Sequence, residues 1–203
     1  MKAEQLGPYT YRWDENCFPL SADSLALGEF CTLKPGDRVA DLGCGAGVLL
    51  LLCARREADL TLFGVEVDPQ AAELARENLA FNGLEGRVLA ADLRDADLPK
   101  ADLVVSNPPW YPQGQKGDRA HVEGCTLAEL CRAAAGALGA KGRFALVHKA
   151  ERLADLLCAL RGAGLEPKRV QFCRHAPDRE PFAVLVEAVK GGRAGVTVLP
   201  DRI

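Results

Sequence analysis

The stretch Ser106-Asn107-Pro108-Pro109-Trp110 contains the residues of this chain that are best suited to chemistry. The two prolines fix φ and remove backbone donors, so the turn presents acceptors, the Asn107 side-chain oxygen and the Pro108 carbonyl. Two acceptors at a fixed spacing can bind the two diverging hydrogens of a planar NH2 group, and an aromatic ring beside them can stack on a flat substrate. Adenine, guanine and glutamine all offer such a group. The alternative is a tight loop in which Trp110 fills the edge of a sheet.

A glycine-rich turn, from Asp41 to Gly47, lies upstream between a predicted strand and a predicted helix. Gly43, Cys44 and Gly45 form its centre, where a tight turn lets a ligand approach the backbone at a helix N-terminus. The spacing is GxGxG rather than the GxGxxG of dinucleotide-binding folds. On its own this pattern is equally consistent with simple turn glycines. Together with the Asn-Pro-Pro turn, it predicts methyl transfer onto an amino or amide nitrogen.

Three acids accompany the glycine turn. Glu66 lies near the end of the second predicted strand, where a carboxylate can accept both hydroxyls of a ribose, and Asp92 ends the third, where it can meet an adenine amino group. Asp41 is expected to face the ammonium group of a cofactor, directly or through water. Glu66 and Asp92 also have structural interpretations. Asp68 is the expected N-cap of the next helix, so Glu66 can be merely a neighbour of that cap, and Asp92 can be an ordinary turn residue. Their order at the ends of successive strands favours a cofactor pocket.

Hydrophobic periodicity predicts the elements that position these residues. From residue 37 onward, apolar strand patterns alternate with helical patterns, which is typical of a parallel sheet covered on both faces. Strands are predicted at 38–42, 60–67, 87–91, 103–106, 143–148, 168–173 and 182–189, and helices at 46–56, 69–82, 126–138 and 150–163. The last two strands have no helix between them and should form an antiparallel hairpin. The pattern predicts an α/β fold with a Rossmann-like, mostly parallel seven-stranded sheet, the layout of class I S-adenosylmethionine-dependent methyltransferases rather than dehydrogenases.

The composition bounds the class of protein. The 203 residues predict one domain, with a cap segment over 1–35, a core over 36–190 and a tail over 191–203. The net charge is −3, so nucleic-acid binding requires a local basic patch. Eight cysteines without a CxxC pair or a Cys/His cluster predict reduced thiols and no metal site. Cys53, Cys131 and Cys158 fall within predicted helices and are expected to be small apolar core residues. The first residues lack the apolar region of a signal peptide, and the run 48–54 is too short to span a bilayer. A cytoplasmic monomer without membrane contacts is expected.

The sequence resembles the bacterial tRNA (adenine-N6)-methyltransferases that modify the purine beside the anticodon of a valine tRNA. The resemblance extends over nearly the whole chain. It is carried by Tyr11-Arg12-Trp13, Pro19-Leu20-Ser21-Ala22-Asp23-Ser24-Leu25-Ala26-Leu27, Glu151-Arg152-Leu153, Glu166-Pro167-Lys168-Arg169-Val170 and Val184-Leu185-Val186-Glu187-Ala188-Val189-Lys190-Gly191-Gly192. These stretches are more specific than the Asn-Pro-Pro motif, which several amino-methylating families share. Trp110 departs from the family, which usually has Tyr or Phe at this position.

The resemblance implies that S-adenosylmethionine is the cofactor and that the exocyclic N6 amine of an adenine in tRNA is the methyl acceptor. It implies that Asn107, Pro108, Pro109 and Trp110 hold the target. The cofactor would be bound by Asp41, Gly43, Cys44, Gly45, Glu66 and Asp92, with Asp23 in an N-terminal segment that closes over it. For Asp23, a role as helix N-cap before residues 25–30 has equal weight.

A basic edge is predicted beside the Asn-Pro-Pro turn, because the loops after the later strands share one side of the sheet. The residues expected to contact tRNA are Lys116, Arg119, Lys149, Arg174 and Arg179, with His148 and His175 nearby. Two alternatives stay open: a protein-glutamine N5-methyltransferase, whose relatives usually carry a preceding helical domain, and an rRNA guanine-N2-methyltransferase, whose relatives often duplicate the domain. A third is a non-catalytic binding subunit, which would not need both intact motifs.

Overall fold

The centre of the molecule is an eight-stranded sheet with a small hairpin beside it. The computed structural model describes residues 1–15, 17–109 and 125–203. The strands are β1 (Lys2–Leu6) and β2 (Tyr9–Trp13) in the hairpin, then β3 (Arg38–Leu42), β4 (Thr61–Glu66), β5 (Gly86–Ala90), β6 (Ala101–Ser106), β7 (Leu138–Lys149), β8 (Leu165–Cys173), β9 (Ala183–Lys190) and β10 (Thr197–Val198) in the sheet.

In the described ranges, five α-helices cover the two faces of this sheet. They are α1 (Ala22–Phe30), α2 (Val48–Arg56), α3 (Pro69–Phe81), α4 (Leu127–Ala137) and α5 (Leu153–Gly162). The first three contribute to one apolar cluster, which includes Leu27 and Leu50, and the last two to a second cluster, which includes Leu130 and Leu156. Each cluster takes alternate residues of the central strands, as the period of two in a strand requires. No helix in the described ranges is long and apolar enough to cross a membrane.

The strand order is β10-β8-β9-β7-β6-β3-β4-β5. From β5 to β7 the strands are parallel, and β9 runs antiparallel to both β7 and β8. This confirms the predicted α/β fold with its terminal hairpin. Because β3 has β4 on one side and β6 on the other, the order of the sheet changes direction at β3, and a crevice forms there.

Two strand regions go beyond the seven predicted strands. In the predicted tail, Thr197 pairs with Arg169 of β8, and the backbone continues along β8 to Arg202, whose N–H donates to Phe172. The β1–β2 hairpin is held to α3 by asparagine side chains: the Thr10 N–H donates to Asn82 Oδ1 at 2.8 Å, and Asn78 pairs likewise with the backbone of β2. Both regions depend on distant partners, so their own residues give little local signal.

Helix α5 carries an apolar stripe at helical spacing, with Leu156 and Leu160 buried and Leu153 and Leu157 partly buried. Cys158 is exposed, since it lies on the opposite face of this helix. The expectation that it is a core residue was therefore wrong. Cys53 and Cys131 are fully buried, as predicted.

Candidate active site

The predicted site residues meet at one edge of the sheet, where the parallel strands β3 to β6 end. The glycine turn follows β3, Glu66 ends β4, Asp92 follows β5, and Asn107 follows β6. Because β3 separates β4 from β6, the glycine turn lies between Glu66 and Asn107. This is the carboxyl edge at which α/β sheets bind ligands.

The glycine turn leaves its backbone open to a ligand. Gly43 has φ +77° and Gly45 has φ +51°, and a Cβ added to either would meet no atom within 4 Å. Gly47 has a different reason to lack a side chain, since its Cβ would lie 3.3 Å from that of Ala75 on α3. Left-handed φ favours glycine at all three positions. The open space beside Gly43 and Gly45 can hold a ligand, and side chains at these two positions would fill it.

Glu66 holds the turn in place. Its carboxylate accepts the Gly45 N–H at 2.8 Å and the Asp68 N–H at 3.0 Å, one on each oxygen. Since a carboxylate has about four acceptor positions, each oxygen still has capacity for a hydroxyl group. Asp68 caps α3 by accepting the Gln70 N–H at 2.9 Å, with Pro69 in the first turn, which confirms the predicted N-cap.

Asp41 has a buried carboxylate. It is 1% exposed, and neither of its oxygens has a hydrogen-bond partner in the part of the chain that the structure describes. Burial raises the pKa of this carboxyl well above its usual value, and the negative charge of Glu66 raises it further. Such an arrangement is costly for the protein alone and favours a nearby cation. Because the oxygens are covered, a ligand's ammonium group would contact them only through a water molecule or after neighbouring side chains move.

Cys44 contributes its backbone rather than its thiol to the open side of the turn. The side chain is 4% exposed and points toward β4, where a Cβ on Gly64 would lie only 2.8 Å from its Sγ. Burial raises the pKa of this thiol well above its usual value, so it stays protonated. The fit of Cys44 against Gly64 anchors the turn to the sheet.

Asp92 has a partner within its own turn. Its carboxylate accepts the Arg94 backbone N–H and the Arg94 guanidinium, both at 2.9 Å, and these bonds lower its pKa to about 2. The side chain is 31% exposed. A ligand amino group at this edge would therefore share the carboxylate with Arg94.

Asn107 is held in one orientation. Its side-chain Nδ2 donates to the Ser24 hydroxyl at 3.1 Å, and Oδ1 accepts no hydrogen bond from the part of the chain that the structure describes. Just before it, the Ser106 hydroxyl donates to the Leu42 carbonyl at 2.7 Å and ties the ends of β6 and β3 together. Pro108 is half-buried and Pro109 exposed, whereas Trp110 lies outside the described residues. Sequence reasoning did not identify Ser24, although it is adjacent to Asp23.

Asp23 is not the N-cap of α1, as one of its two predicted roles required. The cap is Ser21, whose hydroxyl accepts the Ser24 N–H at 3.1 Å, so Asp23 lies within the first turn. Asp23 remains close to the site because its neighbour Ser24 contacts Asn107. Partial burial raises the pKa of Asp23, and nearby His175 acts in the opposite direction. Its predicted role toward a cofactor is still a prediction.

The predicted basic edge divides into three groups. Arg174 is used within the protein, where its guanidinium pairs with Asp201 and donates to the Arg179 carbonyl. Lys149 lies 3.8 Å from Glu151, and Arg179 is exposed. Lys116 and Arg119 lie outside the described residues. The two neighbouring histidines also differ: His148 is buried and His175 is exposed.

His148 and His175 differ in their surroundings as well. His148 is 6% exposed, and its Nδ1 has no hydrogen-bond partner among the residues that the structure describes. Burial, together with the positive charge of Arg152, lowers its pKa. The His175 ring stacks on Phe182, with 4.2 Å between centroids and 10° between planes. Phe182 thus covers one face of the His175 ring, and His175 as a whole remains exposed. Among the described residues, no cluster of three or more His, Cys, Asp or Glu could hold a metal ion.

A known protein family matches about two thirds of this chain. Residues 23–159 match the methyltransferase small domain. The chain belongs to the methyltransferase small domain family. The match spans α1, the glycine turn and Asn107, so the predicted class I S-adenosylmethionine-dependent methyltransferase fold and cofactor class are confirmed.

Individual relatives share most of the chain. A tRNA1(Val) (adenine(37)-N6)-methyltransferase of Porphyromonas gingivalis is 31% identical over 186 residues, which cover 83% of this chain and 73% of the relative. Ribosomal RNA small subunit methyltransferase C of Stutzerimonas stutzeri is 33% identical over 85% of this chain, but over only 47% of its own length. A predicted O-methyltransferase of Agrobacterium tumefaciens has the same fold, with a TM-score of 0.73, 24% identity, and coverage of 89% of this chain and 86% of its own.

Proposed function

We propose that this chain transfers a methyl group from S-adenosylmethionine to the exocyclic N6 amine of an adenine in tRNA. The observation that carries the proposal is the Asn107 amide, which is fixed beside the glycine turn with Nδ2 bound to Ser24 and Oδ1 without a partner among the described residues. An oxygen in this position can accept a hydrogen from an amine. The tRNA adenine-N6-methyltransferase of Porphyromonas gingivalis, which matches over most of both chains, supports the choice of substrate.

The cofactor site follows from the same edge. The open backbone at Gly43 and Gly45 fits a ligand in close approach, and Glu66 has free acceptor positions for ribose hydroxyls. The negative potential of Asp41 suits a ligand that carries positive charge. S-adenosylmethionine meets these requirements with its ribose, its ammonium group and its sulfonium, which supplies an activated methyl group.

Asn107 and Pro108 would orient the acceptor. The exocyclic amine of adenine is a poor nucleophile because its lone pair is delocalised into the ring. The Asn107 Oδ1 and the Pro108 carbonyl would bind its two hydrogens, direct the nitrogen lone pair along the line of transfer and stabilise the positive charge that develops on nitrogen. A strong general base is unnecessary, since the methylated nitrogen readily loses a proton. The stacking residue would be Trp110.

The RNA loop that carries the target adenine would extend toward His175. Asp23 is close enough to His175 for their charges to interact, and the next residue, Ser24, contacts Asn107. An exposed ring already stacked on Phe182 is a platform on which a neighbouring base can stack. Exposed Arg179 and half-buried Lys149 would add attraction for phosphates. Arg174 would act by holding its own loop in place through Asp201.

The experiment combines the protein, S-adenosylmethionine labelled in the methyl group, unmodified tRNA and a cell extract, followed by nucleoside analysis. Label in N6-methyladenosine, mapped beside an anticodon, is expected. Asn107→Ala serves as the control for enzyme-dependent label. Label in rRNA guanosine would favour the activity class suggested by the Stutzerimonas stutzeri relative, and label only in protein would favour glutamine methylation; either result would refute the tRNA proposal.

A further inference from the structure

An asparagine side chain has two nearly equivalent orientations, which differ by a half-turn about its last bond. One presents a carbonyl oxygen, and the other presents an NH2 group in almost the same position. Only the first can accept a hydrogen from an adenine amine, because the second places donor against donor. The amide of Asn107 therefore needs a neighbour that fixes its orientation.

Ser24 is placed to be that neighbour. Its hydroxyl oxygen accepts from Asn107 Nδ2 at 3.1 Å, between residues 83 positions apart. The same oxygen also accepts from the Ser21 hydroxyl at 3.1 Å. Ser24 is 5% exposed, so water does not readily replace these bonds.

The helix that carries Ser24 is anchored at both ends. At its start, Ser21 caps α1. Beyond its end, Thr32 donates through its backbone N–H and its hydroxyl to the buried carboxylate of Glu187 on β9, at 2.7 and 2.8 Å. Between the ends, Leu27 is fully buried in the core. The hydroxyl of Ser24 is therefore held in position relative to the sheet, as a group that orients another residue must be.

We propose that Ser24 is a positioning residue: its oxygen accepts from Nδ2 and so holds the amide in the orientation in which Oδ1 faces the target, which makes the site prefer an amino group to a carbonyl group. This inference rests on the proposed function. Adenosine and inosine test it directly, since they differ at the same ring position by an amine donor and a carbonyl acceptor. An amide turned by a half-turn would donate from its NH2 group to the inosine carbonyl, and it could not accept a hydrogen from the adenosine amine.

The test uses Ser24→Ala and an anticodon stem-loop RNA with adenosine or inosine at the methylated position. We expect kcat for the adenosine RNA to fall about tenfold, which corresponds to the loss of one hydrogen bond in the transition state. The KM for S-adenosylmethionine should stay unchanged. The ratio of adenosine to inosine RNA affinities, measured by competition, should fall by a similar factor. Ser24→Cys keeps the volume with a weaker acceptor and should give an intermediate ratio.

Ser21→Ala is the matched control, because it removes the cap of the same helix and the Ser21–Ser24 hydrogen bond but retains the Ser24 hydroxyl that accepts from Asn107. It should lower the melting temperature without changing the adenosine-to-inosine ratio. An unchanged ratio in active Ser24→Ala, or an equal fall in Ser21→Ala, would overturn the positioning role while leaving the proposed function intact. Failure of the unmodified enzyme to methylate tRNA adenine would instead reject the proposed function, and the role of Ser24 with it.

Discussion

Replacing Asp41 by asparagine should strengthen the fold and weaken the cofactor site at the same time. The wild-type carboxyl group is buried beside Glu66, and neither oxygen has a hydrogen-bond partner among the described residues, so its ionisation is costly in the folded protein. An unsatisfied buried polar group costs about 1–3 kcal/mol, and a charged one costs more. At roughly 2–4 °C per kcal/mol for a chain of this size, removing the charge should raise the melting temperature of the ligand-free protein by about 2–12 °C.

The effect on ligand binding has the opposite sign. If the negative potential of Asp41 attracts the positive charge of S-adenosylmethionine, its loss removes an interaction of about 1.5–3 kcal/mol. The dissociation constant should then rise by roughly ten- to a hundredfold. Isothermal titration calorimetry measures this change, and the thermal shift on adding the cofactor should shrink in parallel.

The pH dependence provides an internal check. Because the pKa of Asp41 is raised in the folded chain, the folded state keeps a proton that the unfolded state loses above about pH 4. Stability from this group therefore falls as the pH rises through that window, and the advantage of Asp41→Asn should grow with pH. Asp102 is the control, since its pKa is lowered by Arg38 and Asp102→Asn should not stabilise. A lower melting temperature in Asp41→Asn, with cofactor affinity unchanged, would refute the reasoning.

Three further variants probe separate parts of the site. Asn107→Ala should lose almost all methyl transfer and keep the thermal shift produced by S-adenosylmethionine; equal loss of both would show that Asn107 supports the cofactor site. Gly45→Ala should cost about 1–2 kcal/mol of stability, because φ is +51° at this position, and should abolish cofactor binding measured by calorimetry. Gly83→Ala is the control: with φ +67° and equally open space, it should cost the same stability and leave cofactor binding intact. His175→Ala should raise the KM for tRNA severalfold at constant kcat, and His175→Phe should restore it; no change in KM would exclude a stacking role.

The sequence by itself determined the fold class and the location of the site. Strand β3 was predicted at 38–42 and is observed at Arg38–Leu42, because a short apolar run bounded by charge and glycine is a local signal. The Asp68 cap is equally local, since an acid before a proline and a helical pattern starts a helix. Once the strands were predicted to be parallel, the chain order alone placed Glu66, Asp92 and Asn107 at one edge.

Only the tertiary structure decided how the side chains at that edge are used. The sequence allowed Asp23 as a cap or as a cofactor contact, but packing places Ser21 at the cap and brings Ser24 to Asn107. Asp41 was predicted near a positive ligand group, yet the surrounding fold alone shows that its buried oxygens have no hydrogen-bond partner among the described residues. Arg174 was expected at the RNA edge and is paired with Asp201 across 27 residues. Periodicity in the sequence indicates which face of an element is buried. A hydrogen bond between distant residues depends on how whole elements pack, so no local sequence pattern predicts the distance between its donor and acceptor.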